Sequence, residues 1–304
     1  MTDYNTTPPI CDYEGSTYRT DFWENRGRDY EDRVERVALD ALLPFGGGRR
    51  LLEIGAGYGR LTNMYHAYEQ VVVMDYSLSH VQQAAADHGH QQRYVYVAAD
   101  VYNLPFRPGV FDGATMIRVI HHLREVPLAM TQVRNVLAPK GVFVLEHANK
   151  RNLKAILRYA TGQQDWNPYT RAPHEFVELN IDFHPSYITD ELQAADFAVV
   201  RRVPVSYLRL GALKRSVPTD ALVALDRVLQ QTALFYSPSI FTKNIAMGDT
   251  PDNTGVALSE PDALFVAPGT GNPLRREGDT MVDTITGTRW AVRDGIYDFK
   301  APLE

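Results

Sequence analysis

The sequence has little of what marks secreted, membrane or cysteine-based metal proteins. Among its 304 residues there is one cysteine, Cys11, which excludes an internal disulfide framework and a metal site built from cysteines. The apolar runs, such as residues 71–74, are far shorter than the about 20 residues that a helix needs to cross a bilayer. The N-terminus has no basic start and no apolar core, so we expect no signal peptide and predict a cytoplasmic protein without a membrane partner.

Long basic clusters are also missing. The net charge is −6, and no long run of lysine or arginine stands out. A nucleic-acid-binding protein usually presents a basic face, so nucleic acid is an unexpected partner. The remaining composition, 44% hydrophobic and 22% charged, predicts one large globular domain with a small appendage.

Short β-prone runs alternate with helical periodicity through the first half of the chain. A first helix is expected from Asp32, where apolar residues recur at helical spacing: Val34, Val37, Ala38, Ala41 and Leu42. The predicted strands are 50–54, 71–75, 94–98, 111–117 and 142–146, and the predicted helices between them are 60–68, 79–86 and 127–137. This alternation implies right-handed crossovers, so the fold class is α/β with a doubly wound, Rossmann-like parallel sheet.

The pattern changes after Glu146. Helices are predicted at 148–160, 187–195 and 219–236, strands at 198–205 and 239–246, and a long aromatic-rich loop or cap at 161–187. The expected domains are an N-terminal lid or extension (1–30), a main domain (31–247) with cap insertions at about 150–187 and 207–236, a small polar linker (248–260) and a tail (261–304).

A glycine-rich loop follows the first predicted strand, in the stretch LLEIGAGYGRL (51–61). Gly55, Gly57 and Gly59 spell G-x-G-x-G, whereas the dinucleotide fingerprint G-x-G-x-x-G places its third glycine where Arg60 stands. Glu53 precedes the loop, and a carboxylate there is awkward beside phosphate but reasonable near an ammonium or sulfonium. The loop therefore favours a cationic nucleoside cofactor over NAD.

Two further acids end predicted strands. Asp75 ends the second strand and Asp100 follows the third, and open α/β sheets bind ligands at the carboxyl ends of their strands. A carboxylate at the first position can take both ribose hydroxyls, and one at the second can accept a hydrogen bond from an adenine amino group.

Five stretches in order carry a family resemblance: LLEIGAGYGRL, VVVMDYS, AADVYNLPF, FDGATMIRVIHHL and VLAPKGVFVLEHAN. Over roughly residues 30–205 the chain resembles the class I S-adenosylmethionine-dependent methyltransferases of the ubiquinone/menaquinone-methylase-like type. The resemblance implies S-adenosyl-L-methionine as cofactor. It implies that Glu53, Gly55, Ala56, Gly57 and Gly59 surround the methionine part, that Asp75, Tyr76 and Ser77 lie at the ribose, that Asp100 and Val101 flank the adenine, and that Ile117 and Arg118 pass under the cofactor.

The catalytic side chains are less defined. Methyl transfer needs an aligned nucleophile and exclusion of water, and a base only where the acceptor must lose a proton, so there is no necessary catalytic residue. The candidates for a base are His147, His174 and His184, whereas the pair His121–His122 is more typical of a packing element. Aromatic residues of the cap are candidates for an acceptor pocket, and Arg28 for the partner of the cofactor carboxylate.

The tail resembles a small zinc-ribbon domain that occurs alone as an activator of RNA and protein methyltransferases. Scaffold residues match, among them Pro268, Leu274 and Gly295, but the four cysteine positions hold Ala267, Thr270, Asp283 and Thr286. We therefore expect a β-rich ribbon without metal, held by packing on the main domain, or docking a partner or a second protomer in a homodimer.

The leading interpretation is methyl transfer from S-adenosylmethionine to a small-molecule or biosynthetic-intermediate acceptor. Two alternatives stay open: a methyltransferase acting on RNA or protein, and a non-catalytic cofactor-binding partner protein. A dehydrogenase is disfavoured by the misplaced third glycine. The sequence does not specify the acceptor or the atom that is methylated.

Overall fold

The computed structural model describes residues 8–16, 19, 23 and 27–303. The helices are α1 (Asp29–Leu42), α2 (Leu78–His88), α3 (Val126–Val136), α4 (Leu153–Ala160), α5 (Pro185–Ala194), α6 (Gly211–Ser216) and α7 (Thr219–Leu229). The strands are β1 (Gly48–Ile54), β2 (Tyr68–Asp75), β3 (Tyr94–Ala98), β4 (Phe111–Met116), β5 (Leu137–Ala148), β6 (His174–Val177), β7 (Asn180–Asp182), β8 (Phe197–Val205), β9 (Ser239–Ala246), β10 (Leu274–Glu277), β11 (Thr280–Asp283), β12 (Arg289–Arg293) and β13 (Ile296–Asp298).

An 11-stranded sheet organises the fold, in the order β10-β11-β12-β13-β3-β2-β1-β4-β5-β9-β8. Strands β1 to β5 are mutually parallel where they pair, and β9 lies antiparallel between β5 and β8. The chain order reverses between β1 and β4, which creates the switch point where α/β sheets bind ligands. The predicted α/β class with a doubly wound sheet is confirmed. Within the described residues, no helix has the length and apolar character needed to span a bilayer.

The helix predicted at 60–68 is wrong. Only a 3₁₀ turn, Thr62–Tyr65, follows the glycine loop, and β2 already begins at Tyr68. Gly55, Gly57 and Gly59 all have positive φ values of 68°, 55° and 81°, which keep the backbone out of the helical region until Arg60. Tyr68 is then paired with Gly48, so too few residues remain for an α-helix.

Two other predicted helices are shorter in the structure than in the sequence pattern. β5 continues to Ala148, and α4 starts only after Asn152, whose side chain accepts a hydrogen bond from the Ala155 amide (3.0 Å). The predicted helix 219–236 ends at Leu229. The predicted cap at 161–187 contains the hairpin β6–β7 rather than continuous loop.

The tail forms one continuous structure with the main sheet. Strands β10 to β13 form an antiparallel meander, and β13 pairs in parallel with β3, Ile296 opposite Tyr96. The ring of Phe265, buried in the shared core, lies 5.6 Å from that of Phe106 and 4.4 Å from that of Tyr297. Packing against the main domain therefore stabilises the tail.

A hydrogen-bonded aspartate joins two turns of the tail at the positions that the ribbon resemblance assigns to metal ligands. Asp283 accepts hydrogen bonds from the Asn272 side chain (3.0 Å) and from the Ile285 and Thr286 amides (2.8 and 3.1 Å). Burial alone would raise the pKa of Asp283, but these donors lower it to about 2. Among the described residues, no cluster of three or more His, Cys, Asp or Glu side chains is placed to hold a metal ion.

Replacing Phe265 by alanine tests whether the tail and the main domain unfold together. Because its ring is almost fully buried between tail and main-domain aromatics, Phe265→Ala should lower the free energy of unfolding by about 3–5 kcal/mol. Urea unfolding followed by circular dichroism should show one transition, shifted as a whole. Ile285→Ala, at a side chain that is 71% exposed, is the matched control, with an expected effect within about 0.5 kcal/mol. Two transitions, of which only the smaller moves, would show that the tail unfolds independently.

Candidate cofactor site

A cleft opens at the carboxyl ends of β1 to β4. Most of the cofactor-binding residues predicted from the sequence line it together: Glu53, Gly55, Ala56, Gly57, Asp75, Tyr76, Asp100, Val101, Ile117 and Arg118. Gly59, Ser77 and Arg28 do not line it. The sheet topology thus gathers residues that are separated by more than sixty positions in the chain.

Two of the three glycines in the loop, Gly55 and Gly59, leave no room for a side chain. A Cβ atom on Gly55 would lie 2.1 Å from Val119 Cγ2, and one on Gly59 would lie 2.7 Å from His88 Nε2, whereas one on Gly57 would meet nothing within 4 Å. Gly57 therefore presents bare backbone to the cleft. Residues 55–67 contain no α-helix, so the loop lacks the helix N-terminus that binds a pyrophosphate in dinucleotide-binding folds.

Glu53 places a buried carboxyl group at the base of the cleft. It is 4% exposed, and its Oε2 accepts a hydrogen bond from Thr62 Oγ1 (2.6 Å). Burial raises the pKa of Glu53 to about 7, although the hydrogen bonds from Thr62 and Tyr65 oppose the shift. The group is therefore poised between its neutral and charged forms at neutral pH, and a cation in the cleft would favour the charged form.

Asp75 joins the glycine loop to the start of α2. Its Oδ2 accepts a hydrogen bond from the Gly57 amide (2.8 Å) and its Oδ1 accepts one from the Ser77 amide (2.9 Å). Burial raises the pKa of Asp75 despite these donors. Each oxygen keeps a further acceptor site for a ligand hydroxyl. Ser77 itself caps α2 by accepting from the His80 amide (3.3 Å), which explains why it stays outside the cleft.

Asp100 has a local structural role and also faces the cleft. It caps a 3₁₀ turn, where its carboxylate accepts from the Tyr102 amide (2.8 Å) and from Asn103 Nδ2 (3.1 Å). Burial raises the pKa of Asp100. A capping role and a ligand role coexist here because a carboxylate has about four acceptor sites.

The described part of the predicted N-terminal lid lies against the cleft. Ile10, Cys11 and Tyr13 contribute to its lining. The Tyr13 ring stacks on His80 (6.2 Å between centroids), and its hydroxyl lies 3.3 Å from His122 Nε2. Residues 1–7, 17–18, 20–22 and 24–26 of the predicted extension lie outside the described residues. Arg28 lines a neighbouring groove together with Trp23 and Arg60.

The three histidines predicted as candidate bases lie away from the cleft. His147 is 1% exposed within β5, and burial lowers its pKa to about 4. The His174 ring stacks on Trp166 (4.5 Å between centroids). His184 caps α5, where its Nδ1 accepts a hydrogen bond from the Ser186 amide (3.2 Å). None of these side chains reaches the cleft, whereas His122, which the pattern assigned to packing, lines it.

An ion-pair cluster at the wall of the cleft, whose arginines Arg60 and Arg118 belong to the lining, was not evident from the sequence. Glu35 of α1 is fully buried and accepts hydrogen bonds from Arg60 Nη2 (2.8 Å) and Arg118 Nε (2.8 Å). The Trp23 ring covers both guanidinium groups, at 3.8 Å from Arg60 and 5.0 Å from Arg118. In the sequence, Glu35 is one of several acids in the amphipathic helix α1, and nothing in the pattern separates it from a solvent-exposed glutamate. Only its contacts in the structure show that it is a buried ion-pair partner.

Comparison with known proteins agrees with this geometry. Residues 52–145 match a family model described as a methyltransferase domain. The 27-O-demethylrifamycin SV methyltransferase of Amycolatopsis mediterranei is 28% identical over 138 residues, 43% of this chain and 51% of that protein. The malonyl-[acyl-carrier protein] O-methyltransferase of Legionella pneumophila is 25% identical over 137 residues, 43% and 46% of the two chains. The chain thus spans about half the length of the curated relatives it matches.

One solved structure is similar to this chain in its fold. The S-adenosylmethionine-dependent methyltransferase of Mesorhizobium loti superposes with a TM-score of 0.52 at 21% identity, covering 71% of this chain and 99% of that one. Identity at this level shows the fold alone. Residues 52–145 thus match a methyltransferase domain, and the fold around them is similar to that of an S-adenosylmethionine-dependent methyltransferase.

Proposed function

We propose that the protein transfers a methyl group from S-adenosylmethionine to a small-molecule or biosynthetic-intermediate acceptor. The observation that carries the proposal is the set of three carboxyl groups, on Glu53, Asp75 and Asp100, around one cleft at the switch point. The glycine loop between them lacks a following α-helix. These hydrogen-bond acceptors suit a nucleoside with cationic groups better than a dinucleotide with a pyrophosphate.

Each of these residues has a role that its position supports. Glu53 would pair with the ammonium group of the cofactor, Asp75 would accept from the ribose hydroxyls, and Asp100 would accept from the adenine amino group. The bound cofactor supplies an activated methyl group next to a sulfonium. The protein's own contribution is alignment and exclusion of water, which fits the absence of the predicted histidine bases from the described lining.

The acceptor class rests on the named relatives. One acts on a rifamycin derivative and another on the malonyl group of an acyl carrier protein, and both names denote methyltransferases. These two names support an acceptor of the same general kind, a small molecule or a biosynthetic intermediate, for this chain.

The first test of the proposed function is calorimetric titration with S-adenosylmethionine, S-adenosylhomocysteine and NAD. The two sulfur compounds should bind with micromolar dissociation constants or better, and NAD should not, because the loop offers no helix N-terminus to its pyrophosphate. Asp75→Asn keeps the size of the side chain but removes its charge and one acceptor, so binding should weaken about 10-fold or more. Asp112→Asn, which alters an acid that binds backbone amides of β1 away from the cleft, controls for general loss of structure. Binding of NAD in preference to the sulfur compounds would refute the proposal.

The protonation of Glu53 predicts a pH dependence of cofactor binding. Burial raises the pKa of Glu53 to about 7, and a cationic ligand binds the ionised form. Affinity for S-adenosylmethionine should therefore rise as the pH increases from 6 to 8 and level off above, as the carboxyl group loses its proton before binding. Glu53→Gln should bind about 10-fold or more weakly at pH 8 and lose this pH dependence.

The Glu53→Gln substitution should weaken cofactor binding but should stabilise the fold. A folded-state pKa above the unfolded value means that Glu53 destabilises the fold increasingly as the pH rises from about 4.5 to about 7. The empty Glu53→Gln variant should therefore unfold at a higher temperature than the wild type at pH 8, measured by calorimetry. A lower melting temperature together with unchanged cofactor affinity would show that Glu53 is a structural residue.

A further inference from the structure

One carboxylate attaches the N-terminal segment, residues 10–16, to the edge of the cleft. Glu14 accepts hydrogen bonds from the first two amides of α2, those of Leu78 (2.7 Å) and Ser79 (3.0 Å). The neighbouring Gly15 amide donates to Ser79 Oγ (2.9 Å). A carboxylate at this position satisfies amides that the helix itself leaves free, and it interacts favourably with the helix dipole. The segment is therefore docked on the N-terminus of α2.

The same helix end also carries a carboxylate of the cleft. Asp75 accepts from the Ser77 amide (2.9 Å), Ser77 Oγ accepts from the His80 amide (3.3 Å), and Glu14 accepts from the two amides between them. The amides of the first turn are thus divided between the cleft and the segment. Tyr13, next to Glu14, belongs to the cleft lining. The position of the segment and the shape of the cleft are therefore coupled through the start of α2.

A lysine of the tail pairs with the Glu14 carboxylate. Lys300 Nζ lies 3.2 Å from Glu14 Oε2, and it lies 5.5 Å from the centre of the Tyr76 ring, which lines the cleft. Lys300 comes just after β13, which is fixed to the main sheet by its pairing with β3 and by the hydrogen bond from the Phe299 amide to the Ala98 carbonyl (2.8 Å). The tail thus places a cation at the rim of the cleft, on the group that docks the N-terminal segment.

The contact between Glu14 and its donors is charged but partly exposed. Burial alone would raise the pKa of Glu14, but the hydrogen bonds from Lys300 and from the α2 amides lower it, so the carboxylate is ionised at neutral pH. The side chain of Glu14 is 42% exposed and that of Lys300 is 20% exposed. Water and salt screen such a pair, so it favours the docked position of the segment without locking it there.

We propose that Lys300 and Glu14 are positioning residues that form a latch, in which the tail lysine holds the N-terminal segment closed over the cofactor cleft. The cofactor enters and leaves when Glu14 comes off the N-terminus of α2. The tail thereby has a role in the site, because it supplies the cation of the latch. The proposal rests on the proposed function, since it takes S-adenosylmethionine to be the ligand of the cleft.

A purely structural role for the ion pair predicts a different result. If Lys300 only joins the tail to the main domain, Lys300→Met should lower the melting temperature and leave the N-terminal segment as accessible as before. If Lys300 belongs to a latch, the segment should open more often while the melting temperature stays nearly unchanged, because β13 and Phe265 hold the tail. The accessibility of the segment therefore separates the two roles.

Cys11 is a probe for this accessibility, because it is the chain's one cysteine, is partly buried and lines the cleft. The first experiment measures how fast Cys11 of the empty protein reacts with dithiodipyridine, a neutral thiol reagent, since the rate reports the population of the open form. Lys300→Met should speed the reaction about 2- to 5-fold. Glu14→Gln also weakens the bonds to two amides and should speed it about 10-fold. Lys154→Met and Glu69→Gln, at exposed positions of α4 and β2, should react like the wild type.

Two further variants test the pairing itself. Lys300→Arg keeps the cation and should react at the wild-type rate. In the Glu14→Gln background, Lys300→Met should add little, because the lysine acts through Glu14. An unchanged Cys11 rate in both Lys300→Met and Glu14→Gln, or full additivity in the double variant, would overturn the latch.

Binding of S-adenosylhomocysteine then connects the latch to the cleft. Saturation with this ligand should slow the Cys11 reaction of the wild type. Surface plasmon resonance should show that the ligand dissociates faster from Lys300→Met, by about the factor found in the labelling experiment. Equal dissociation rates from the wild type and both single variants would overturn the proposal. If the ligand does not bind the wild type at all, the proposed function fails, whereas the labelling of the empty protein still decides whether Lys300 and Glu14 hold the segment.

Discussion

The buried carboxylate of Glu35 fixes the relative positions of three elements. It holds Arg60, at the end of the glycine loop, and Arg118, after β4, against α1. The two guanidinium groups lower its pKa to about 2, although burial alone would raise it. Removing one partner from such a pair leaves an uncompensated buried charge and typically costs about 3–5 kcal/mol. The shape of the cleft therefore depends on an interaction in which the two arginines line the cleft and the carboxylate that holds them does not.

Arg118 connects the ion pairs of Glu35 to the neighbouring strand β5. Its backbone has a positive φ of 61°, which is unusual for a residue other than glycine, and its amide donates to Glu146 of β5 (2.9 Å). The side chain is tied to α1 and the main chain to β5, so the end of β4 is fixed from both sides. A strained backbone persists only where its surroundings determine it, and here the surroundings are the ion pairs of Glu35 and the carboxylate of Glu146.

The groups around the glycine loop determine which class of cofactor the cleft suits. A glycine loop followed by a helix presents amide groups and a positive dipole, which suit phosphate. In this protein the loop is followed by a 3₁₀ turn, and Glu53 and Asp75 hold the loop from the two neighbouring strands. The wrong prediction of a helix at 60–68 left the cofactor inference intact, because that inference came from the acids and from the spacing of the glycines.

The sequence by itself determined the α/β class, the five strands β1 to β5 and the acids at the ends of three of them, because strand periodicity and strand-end positions depend on residues close together in the chain. It could not show that Glu35 is buried, that β13 extends the sheet beside β3, or that His147 lies inside β5 away from the cleft. These features arise from contacts between residues far apart in the chain, such as Glu35 and Arg118, which are 83 positions apart. Whether a polar side chain is a solvated surface group, a buried partner or a ligand anchor is a property of its neighbours, and only the tertiary structure decides which neighbours it has.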